Sequence, residues 1–479
     1  MNGVRWSFGL VVALLTLANN QLRADAPPEG KIRIADRAAE NFESIQAAID
    51  AAPRDSTILI GAGRYDERLR ITKPIKLVGA GPDKTVIGPT AADRDQQEET
   101  LYARAKAFEA RLRSTEAPVE PQNELAELKA LSEAINYPII EIDLVQGVEL
   151  RSLRITSPGT PRARSGLSNS NAVAVKQGGL HMADCAVVGC YGSGVHGEGG
   201  SNLEIDDCLI AACWSSGVSA MNRSPGRLQI TNSDIRNCYH NNIWTGPNSN
   251  PCAIEGCRIS GSAWFGIRYG DRRPNIVGNA IFENARSGIY AEGEAGVIKQ
   301  NLFYKNAVGG ASCSYENKCQ FEGNLFLDND GAGIYANGAC EPAISRNIFV
   351  GSKQGVAYAP IETEKVNLQP LGKFHVTENL FWKIDQPVVR RYPTTKAGQP
   401  GDQPIELPPD AGNRVVDPQV AIGPQQQVVL EASSPARQFD FSGITAVSLA
   451  SRWPLTPEER AMIPDDPTRE WSKWKMKPR

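Results

Sequence analysis

Two stretches of the chain, SGIYAEGEAGVIKQNLFYKNAVGG (287–310) and AGIYANGACEPAISRNIFVGSKQG (332–355), nearly repeat each other. Both contain an asparagine followed closely by an aliphatic residue and phenylalanine, and this phrase recurs every 22 or 23 residues at Asn279, Asn301, Asn324 and Asn347. The column continues after a longer gap at Asn379, and towards the N-terminus it holds Cys185, Cys208, Ser233 and Cys257. A fixed period of this length indicates a repeat architecture.

Two further columns keep the same period. The second, five residues after the first, holds Cys190, Cys213, Cys238, Ser262, Asn284, Asn306 and Asn329. The third column is the first residue of a pair that resembles glycine–isoleucine, and it falls at positions 194, 217, 242, 266, 288, 310 and 333. Short alternating strands with this period predict an all-β parallel β-helix of roughly a dozen coils, stacked about 4.8 Å apart. The small polar columns are expected at turns, where their side chains bond to one another and to free backbone groups.

The repeated phrase GIYAEG divides into inward and outward positions. Because successive strand residues point to opposite faces, Ile289 and Ala291 are expected inside, and Tyr290 and Glu292 outside. The inward residues recur because every coil needs the same turn and core packing. Only the outward residues are free to carry a function.

Composition and the N-terminus narrow the class of protein. The chain has 479 residues, 41% of them apolar, and a net charge of −3 without a block of like charge, so neither nucleic acid nor an anionic membrane is a predicted partner. Residues 1–26 combine Arg5, an apolar run from Phe8 to Ala18 and small residues near Ala24, a layout typical of a secretory signal peptide. An uncleaved membrane anchor is the alternative. We expect a secreted or periplasmic protein with no membrane span after signal cleavage.

Residues 27–90 are expected to form an N-terminal cap and the first coils. An apolar helical face (Phe42, Ile45, Ala48, Ile49) precedes strand-like runs, and the helix is expected to cover the open end of the solenoid. The phrases IQAAIDAAP, GRYDERLRI and LVGAGPDKTVI resemble the opening of right-handed parallel β-helix proteins of the pectin-lyase-like superfamily, including pectinesterases. The resemblance implies the fold. It implies no activity, because the pectinesterase phrases QDTL, DFIFG and GRPW, the polygalacturonase phrases NTD and GHG, and the epimerase phrase DPHD are absent.

Three segments flank or interrupt the coils. Residues 91–136 have a helical period broken by two prolines, and we expect a helical hairpin insertion, either a decorated loop or a lid or arm that docks a protein partner. Residues 137–397 should form the remaining coils. Residues 398–479, rich in proline and then polar, are expected to form a C-terminal cap and a polar tail.

The outward positions after the third column are expected to form one surface. Adjacent coils lie about 5 Å apart, so the following side chains should meet in a patch: His240, Trp244, Trp264, Arg268, Arg286, Tyr290 and Glu292. Aromatic rings stack on sugar rings, and arginines bind carboxylate or sulfate groups. The predicted substrate-binding residues are Trp244, Trp264, Arg286, Glu292 and Asp271, and the predicted ligand is a polysaccharide, with an acidic one as an option.

Catalysis in this patch is a further hypothesis. A polysaccharide lyase needs a base near the sugar C5 proton and a cation beside the enolate-like intermediate. Tyr290 or His240 is the candidate base, with Arg268 and Arg286 as the electrostatic partners. A hydrolase needs two carboxylates, and only Asp271 is a possible partner for Glu292. Exposed aromatic and arginine residues are also ordinary strand formers, so a patch without function remains open.

No cofactor is expected. The chain has four histidines and no paired metal-ligand spacing, and a calcium ion at Asp206 and Asp207 is an unsupported option. The ten cysteines share columns with serine and asparagine, which favours reduced, buried thiols over disulfides. Cys252, Cys313, Cys319 and Cys340 lie outside those columns, and the last three are the likelier place for a bridge if one forms.

Two functions remain in competition. The first is an exported polysaccharide-binding protein, active as a lyase or only binding. The second is a non-enzymatic β-helix scaffold that presents loops, the 91–136 insertion above all, to a protein partner.

Overall fold

The structure is a computed structural model. It describes residues 27–35, 41–90, 137–156, 171–221, 226–246, 252–270, 273–293, 295–314, 317–338, 340–359, 375–390 and 402–463, with residues 103, 104, 107 and 126. The expected signal peptide and nearly all of the expected helical hairpin at 91–136 lie outside these residues.

Three long sheets, here called A, B and C, form the walls of a parallel β-solenoid, and each has 13 strands. Sheet A consists of Ile32–Ile34, Ser56–Ile60, Ile75–Gly79, Val148–Arg151, Gly179–Ala183, Asn202–Asp206, Leu228–Thr231, Cys252–Glu255, Asn275–Val277, Val297–Lys299, Gln320–Glu322, Ala343–Ser345 and His375–Thr377. Sheet B consists of Gly63–Tyr65, Thr85–Ile87, Arg154–Thr156, Ala186–Val188, Leu209–Ala211, Asp234–Arg236, Arg258–Ser260, Ala280–Phe282, Leu302–Tyr304, Leu325–Leu327, Ile348–Val350, Leu380–Trp382 and Arg414–Val415.

Sheet C is the third wall. Its strands are Leu69–Ile71, Ile140–Asp143, Val173–Lys176, Val195–Glu198, Val218–Met221, Ile243–Thr245, Ile267–Tyr269, Ile289–Ala291, Gly309–Cys313, Ala332–Asn337, Gln354–Ala359, Gln386–Arg390 and Gln403–Pro404. Strands of successive coils pair in parallel, and the exceptions are the terminal strands Ile32–Ile34 and Gln403–Pro404, which pair antiparallel. The predicted parallel β-helix is therefore confirmed.

The alternation predicted for GIYAEG is also confirmed. Ile289 and Ala291 are fully buried, whereas Tyr290 and Glu292 are partly exposed on the outer face. Inside the solenoid, the rings of Phe303, Phe326, Phe349 and Phe381 stack coil upon coil, with centroids 4.7, 4.8 and 5.1 Å apart. The core is thus a continuous column whose spacing follows the pitch of the strands.

The asparagine column lies at the turn between sheets A and B and bonds as expected. Asn301 Oδ1 accepts a hydrogen bond from the backbone N–H of Asn279 at 3.0 Å, and its amide donates to the carbonyl of Ile276 at 2.8 Å. The same pattern extends one coil beyond the predicted column, where Asn379 bonds to Asn413. The Asn301 amide also donates to Asn324 Oδ1 at 3.1 Å on the next coil, so the side chain links its own coil to those on both sides.

All ten cysteines are buried and free. This agrees with the reduced state that the sequence favoured, and Cys313, Cys319 and Cys340, the likelier place for a bridge, are not bridged in the structure. The hydroxyl of Tyr269 lies 2.7 Å from Cys319 Sγ, and Cys340 Sγ donates to the carbonyl of Asn337 at 3.0 Å. These thiols serve as small hydrogen-bonding core groups.

A short helix covers the N-terminal end of the solenoid. It spans Ile45–Ala51, and Ser44 caps it by accepting the N–H of Ala47 at 3.1 Å. Its buried face consists of Ile45, Ala48 and Ile49, three of the four residues of the predicted apolar face.

The C-terminal segment follows a path that the sequence did not suggest. Ile405 and Leu407 pack against the end of the core, and a short helical turn follows at Pro409–Ala411. A two-stranded hairpin (Val420–Ile422 and Val428–Leu430) and three short helical segments, Pro435–Gln438, Ser442–Ala446 and Pro457–Ala461, come next. This part runs back along the outside of sheet B, where Arg452 pairs with Asp207 and Glu459 with Arg154. Only the first part of the C-terminal segment therefore covers the end of the solenoid, as expected for a cap. The rest packs against the outer side of sheet B.

No helix within the described part of the chain has the length and apolar character needed to cross a membrane.

Candidate functional site

The outer face of sheet C carries the predicted row of outward residues. Strand pairing aligns His196 with Ser219, Ser219 with Trp244, Trp244 with Arg268, Arg268 with Tyr290, and Tyr290 with Ser312. The row follows from the parallel register, since each inward residue fixes the face of its neighbour. Sequence spacing alone therefore placed these residues in the correct order.

An aromatic patch forms where this row meets the turn that precedes sheet C. We define the aromatic patch as His240, Trp244, Trp264, Phe265 and Tyr290. The His240 ring lies 5.3 Å from Trp244 and 4.7 Å from Trp264, and Phe265 stacks on Tyr290 with centroids 4.6 Å apart. Trp244, Trp264 and Tyr290 are partly exposed, whereas Phe265 is buried beneath them. The patch is a supported, rigid surface because its rings pack on each other.

Arg268 and Glu292 form a bidentate ion pair beside the patch. Arg268 Nε donates to Glu292 Oε2 at 2.8 Å, and Nη2 donates to Oε1 at 2.9 Å. The guanidinium carbon also lies 5.7 Å from the ring centres of both Trp244 and Tyr290. The predicted residues are thus brought together, but the charge of Arg268 is balanced by Glu292 rather than offered to a ligand. This pairing weakens the role of Arg268 as the cation of a lyase.

Arg286 is the cation that the patch leaves towards solvent. Its side chain is exposed, and its guanidinium carbon lies 4.8 Å from the Trp264 ring centre and 5.7 Å from that of Phe265. Among the described residues, no carboxylate lies within ion-pair distance of Arg286, in contrast to Arg268. A guanidinium over an indole ring is held there by a cation–π contact.

His240 lies in the middle of the patch and is uncharged at neutral pH. Burial, with a smaller contribution from the positive charge of Arg268, lowers the pKa of His240 to about 4. Its Nδ1 lies 3.0 Å from the side-chain nitrogen of Asn241, so this ring nitrogen accepts a hydrogen bond. The imidazole is therefore a neutral group that is only weakly basic.

Sequence reasoning missed two members of the site. Phe265 supports Tyr290, and Asn241 orients His240, and each directly precedes the glycine–isoleucine-like pair of its coil. Most coils have serine or glycine at that position. The phenylalanine and the asparagine depart from this pattern, and that departure could have identified them from the sequence as part of the site.

The other sequence candidates lie elsewhere. Asp271 is outside the described residues. His196 Nε2 and Glu198 Oε2 are 4.0 Å apart on the strand Val195–Glu198, in the same sheet but on an earlier coil than the patch. In the described part of the chain, no group of three or more histidine, cysteine, aspartate or glutamate side chains is placed to hold a metal ion, and Asp207 pairs with Arg452 instead.

Comparison with protein families supports the fold. A family model described as "Right handed beta helix region" matches residues 139–296 and 223–363, and these ranges include the coils that carry the patch. The match confirms the right-handed parallel β-helix that the N-terminal phrases implied. A comparison with curated proteins finds no match.

Several solved structures resemble the chain over most of its length at low identity. A periplasmic alginate epimerase mutant is 10% identical, covering 73% of this chain and 81% of its own, with a TM-score of 0.35. The catalytic unit of an α-1,3-glucanase from Streptomyces thermodiastaticus is 12% identical, covering 78% and 70%, with a TM-score of 0.37. The A-module of a mannuronan C-5 epimerase from Azotobacter vinelandii is 14% identical, covering 83% and 99%, with a TM-score of 0.34.

Proposed function

We propose that this protein is exported and binds a polysaccharide on the outer face of sheet C, at the aromatic patch. The observation that carries the proposal is Arg286, an exposed guanidinium stacked 4.8 Å from the ring centre of the partly exposed Trp264. A sugar ring can stack on the indole while its polar substituent meets the guanidinium.

The preferred ligand is an acidic polymer. Arg286 offers a positive charge to a carboxylate or sulfate, whereas the Arg268–Glu292 pair is close to neutral and keeps the neighbouring rings in place. Repeated acidic sugars along a chain suit a solenoid face whose coils repeat about every 4.8 Å.

Electrophoresis in gels that contain a polysaccharide tests the proposal. Polygalacturonate or alginate should retard the wild-type protein more than a neutral glucan does. Trp264→Ala and Arg286→Gln should each weaken retardation about fivefold or more, because each removes one ring or one charge-assisted contact. Arg346→Gln is the matched control, an exposed arginine that pairs with Glu322 on sheet A, and it should change nothing. Equal mobility in every gel would refute the proposal.

Lyase cleavage is a second candidate, favoured by one observation. His240 lies within the patch, with its ring 5.3 Å from that of Trp244 and 4.7 Å from that of Trp264, where it could meet a sugar C–H proton, and its pKa of about 4 makes it a neutral but weak base. Incubation with acidic polymers should then raise the ultraviolet absorbance of unsaturated uronides, and His240→Gln should abolish the rise. Retardation without any rise in absorbance would leave a binding protein. Absence of both would favour the scaffold that presents the 91–136 insertion to a protein partner.

A further inference from the structure

A further pair of aromatic residues lies beside the aromatic patch, on the turns that lead from sheet B to sheet C. The rings of Trp214 and Tyr239 stack with their centroids 3.7 Å apart and their planes at 18°. Trp214 is partly exposed, whereas Tyr239 is buried. Neither residue belongs to the aromatic patch, and the function proposed above does not use them.

The turn itself does not require an aromatic residue at this position. The position after the second column holds an aromatic residue on three consecutive coils (191, 214 and 239) and alanine on the next three (263, 285 and 307). Both kinds of turn make the same backbone contact with the preceding coil. The N–H of Trp214 donates to the Cys190 carbonyl at 2.8 Å, and that of Ala285 donates to the Ser262 carbonyl at 2.9 Å. Formation of the turn therefore does not account for the size of the Trp214 side chain.

Trp214 and Tyr239 continue the aromatic patch towards the N-terminal coils. Tyr239 directly precedes His240, whose ring lies 4.7 Å from that of Trp264. The guanidinium carbon of Arg286 lies 4.8 Å from the Trp264 ring centre. Aromatic residues therefore occupy three consecutive turns, and Arg286 occupies the fourth. At about 4.8 Å per coil, Trp214 and Arg286 are separated by about 14 Å along the solenoid axis.

Charge along these turns is confined to one end. The turn residues 190–193, 213–217, 238–242 and 262–266 include no aspartate, glutamate, lysine or arginine. Arg286 is the single charged residue of the next turn, 284–288. The turns thus present uncharged side chains that end at one guanidinium group.

An oligosaccharide longer than a disaccharide fits this arrangement. The apolar face of a pyranose ring stacks on an aromatic side chain, and a carboxylate or sulfate group pairs with a guanidinium. One sugar unit is roughly as long as the rise of one coil, about 5 Å. A disaccharide held at Arg286 therefore covers Trp264, and only a longer chain extends to Trp214.

We propose that Trp214 forms a second stacking site for the polysaccharide, so that the polymer lies along the solenoid axis from Arg286 towards the N-terminal coils. This proposal rests on the function proposed above and adds the length and the direction of the bound segment. An acidic group of the polymer pairs with Arg286, whereas the sugar at Trp214 contributes its apolar face. It is a binding site, and no bond is made or broken in it.

Calorimetry on the full chain tests the proposal with di- and hexasaccharides of galacturonate and of mannuronate. A hexasaccharide should bind more tightly than the disaccharide of the same sugar. Trp214→Ala should weaken hexasaccharide binding about fivefold and leave disaccharide binding unchanged, whereas Trp264→Ala should weaken both. Sodium chloride should weaken the two oligomers by the same factor, because each has one charged contact. A larger salt effect on the hexasaccharide would contradict an uncharged contact at Trp214.

Val308→Ser is the matched control for the direction of the polymer. Val308 is 43% exposed on the turn that follows that of Arg286, and its N–H donates to the Arg286 carbonyl at 3.5 Å. It therefore lies on the side of Arg286 opposite to Trp214, and its substitution should leave hexasaccharide binding unchanged. A loss for Val308→Ser without a loss for Trp214→Ala would overturn the proposed direction.

The remaining outcomes separate this proposal from the one on which it rests. If neither hexasaccharide binds the wild-type protein, the proposed function fails together with the second stacking site. If a hexasaccharide binds and Trp214→Ala weakens neither oligomer, or weakens both equally, the second stacking site alone is refuted. Should Trp214→Ala fail to fold, Trp214→Leu takes its place, because leucine keeps an apolar contact with Tyr239 and removes the aromatic face.

Discussion

Asn301 lies in the middle of the asparagine column, and its side chain bonds to Asn279 and Ile276 on the preceding coil and to Asn324 on the next. Its Oδ1 accepts from the backbone N–H of Asn279 at 3.0 Å, and its amide donates to the Ile276 carbonyl at 2.8 Å. The side chain is fully buried, so no water can replace it. Asn301→Ala should therefore leave one backbone donor and one backbone acceptor inside the turn without a hydrogen-bond partner.

The magnitude follows from these two groups. An unsatisfied buried polar group costs about 1–3 kcal/mol, so two of them predict a loss of about 2–6 kcal/mol in the free energy of unfolding. Asn301→Ser should lose less, because Ser233 occupies the equivalent position of an earlier coil and its Oγ accepts the Cys208 N–H at 3.1 Å.

Urea denaturation followed by circular dichroism measures this loss. Gln320→Ala is the control, since Gln320 is exposed on a strand of sheet A, and it should change the unfolding free energy by less than about 0.5 kcal/mol. A loss below about 1 kcal/mol for Asn301→Ala would refute the view that the amide column, rather than apolar packing alone, stabilises the turns.

Two further perturbations test the core and the site. The pKa of His240 is lowered from 6.5 to about 4, so the unfolded state binds the proton first and the free energy of unfolding should rise with pH across this window, by up to about 1.4 kcal/mol per pH unit. His240→Gln should flatten that part of the pH profile, whereas substitution of the exposed His375 should not. A Cβ at Gly333 would lie 2.4 Å from Phe349 Cδ1, so Gly333→Ala should cost about 1–3 kcal/mol in urea denaturation. Gly246→Ala, with its nearest atom at 3.5 Å, should cost less, and equal midpoints would contradict the close packing of the phenylalanine stack.

Much of the candidate site was predictable because a solenoid converts sequence spacing into position. Trp244, Arg268 and Tyr290 are separated by one period each, so parallel pairing places them side by side. The ion pair between Arg268 and Glu292 was not predictable, because spacing brings two side chains near each other without fixing their rotamers. That choice changes the chemistry, since it leaves Arg286 rather than Arg268 as the cation available to a ligand.

The sequence by itself determined the coil period, the inward and outward faces and the asparagine turns, because all three depend on local alternation and on nearest-neighbour stacking. Only the tertiary structure decided where the C-terminal segment lies and therefore which part of the outer face of sheet B it covers. Arg452 reaches Asp207 across 245 residues of chain, and no period connects them. Contacts between distant segments depend on which surfaces remain uncovered after the coils have stacked, and a repeat pattern does not contain that information.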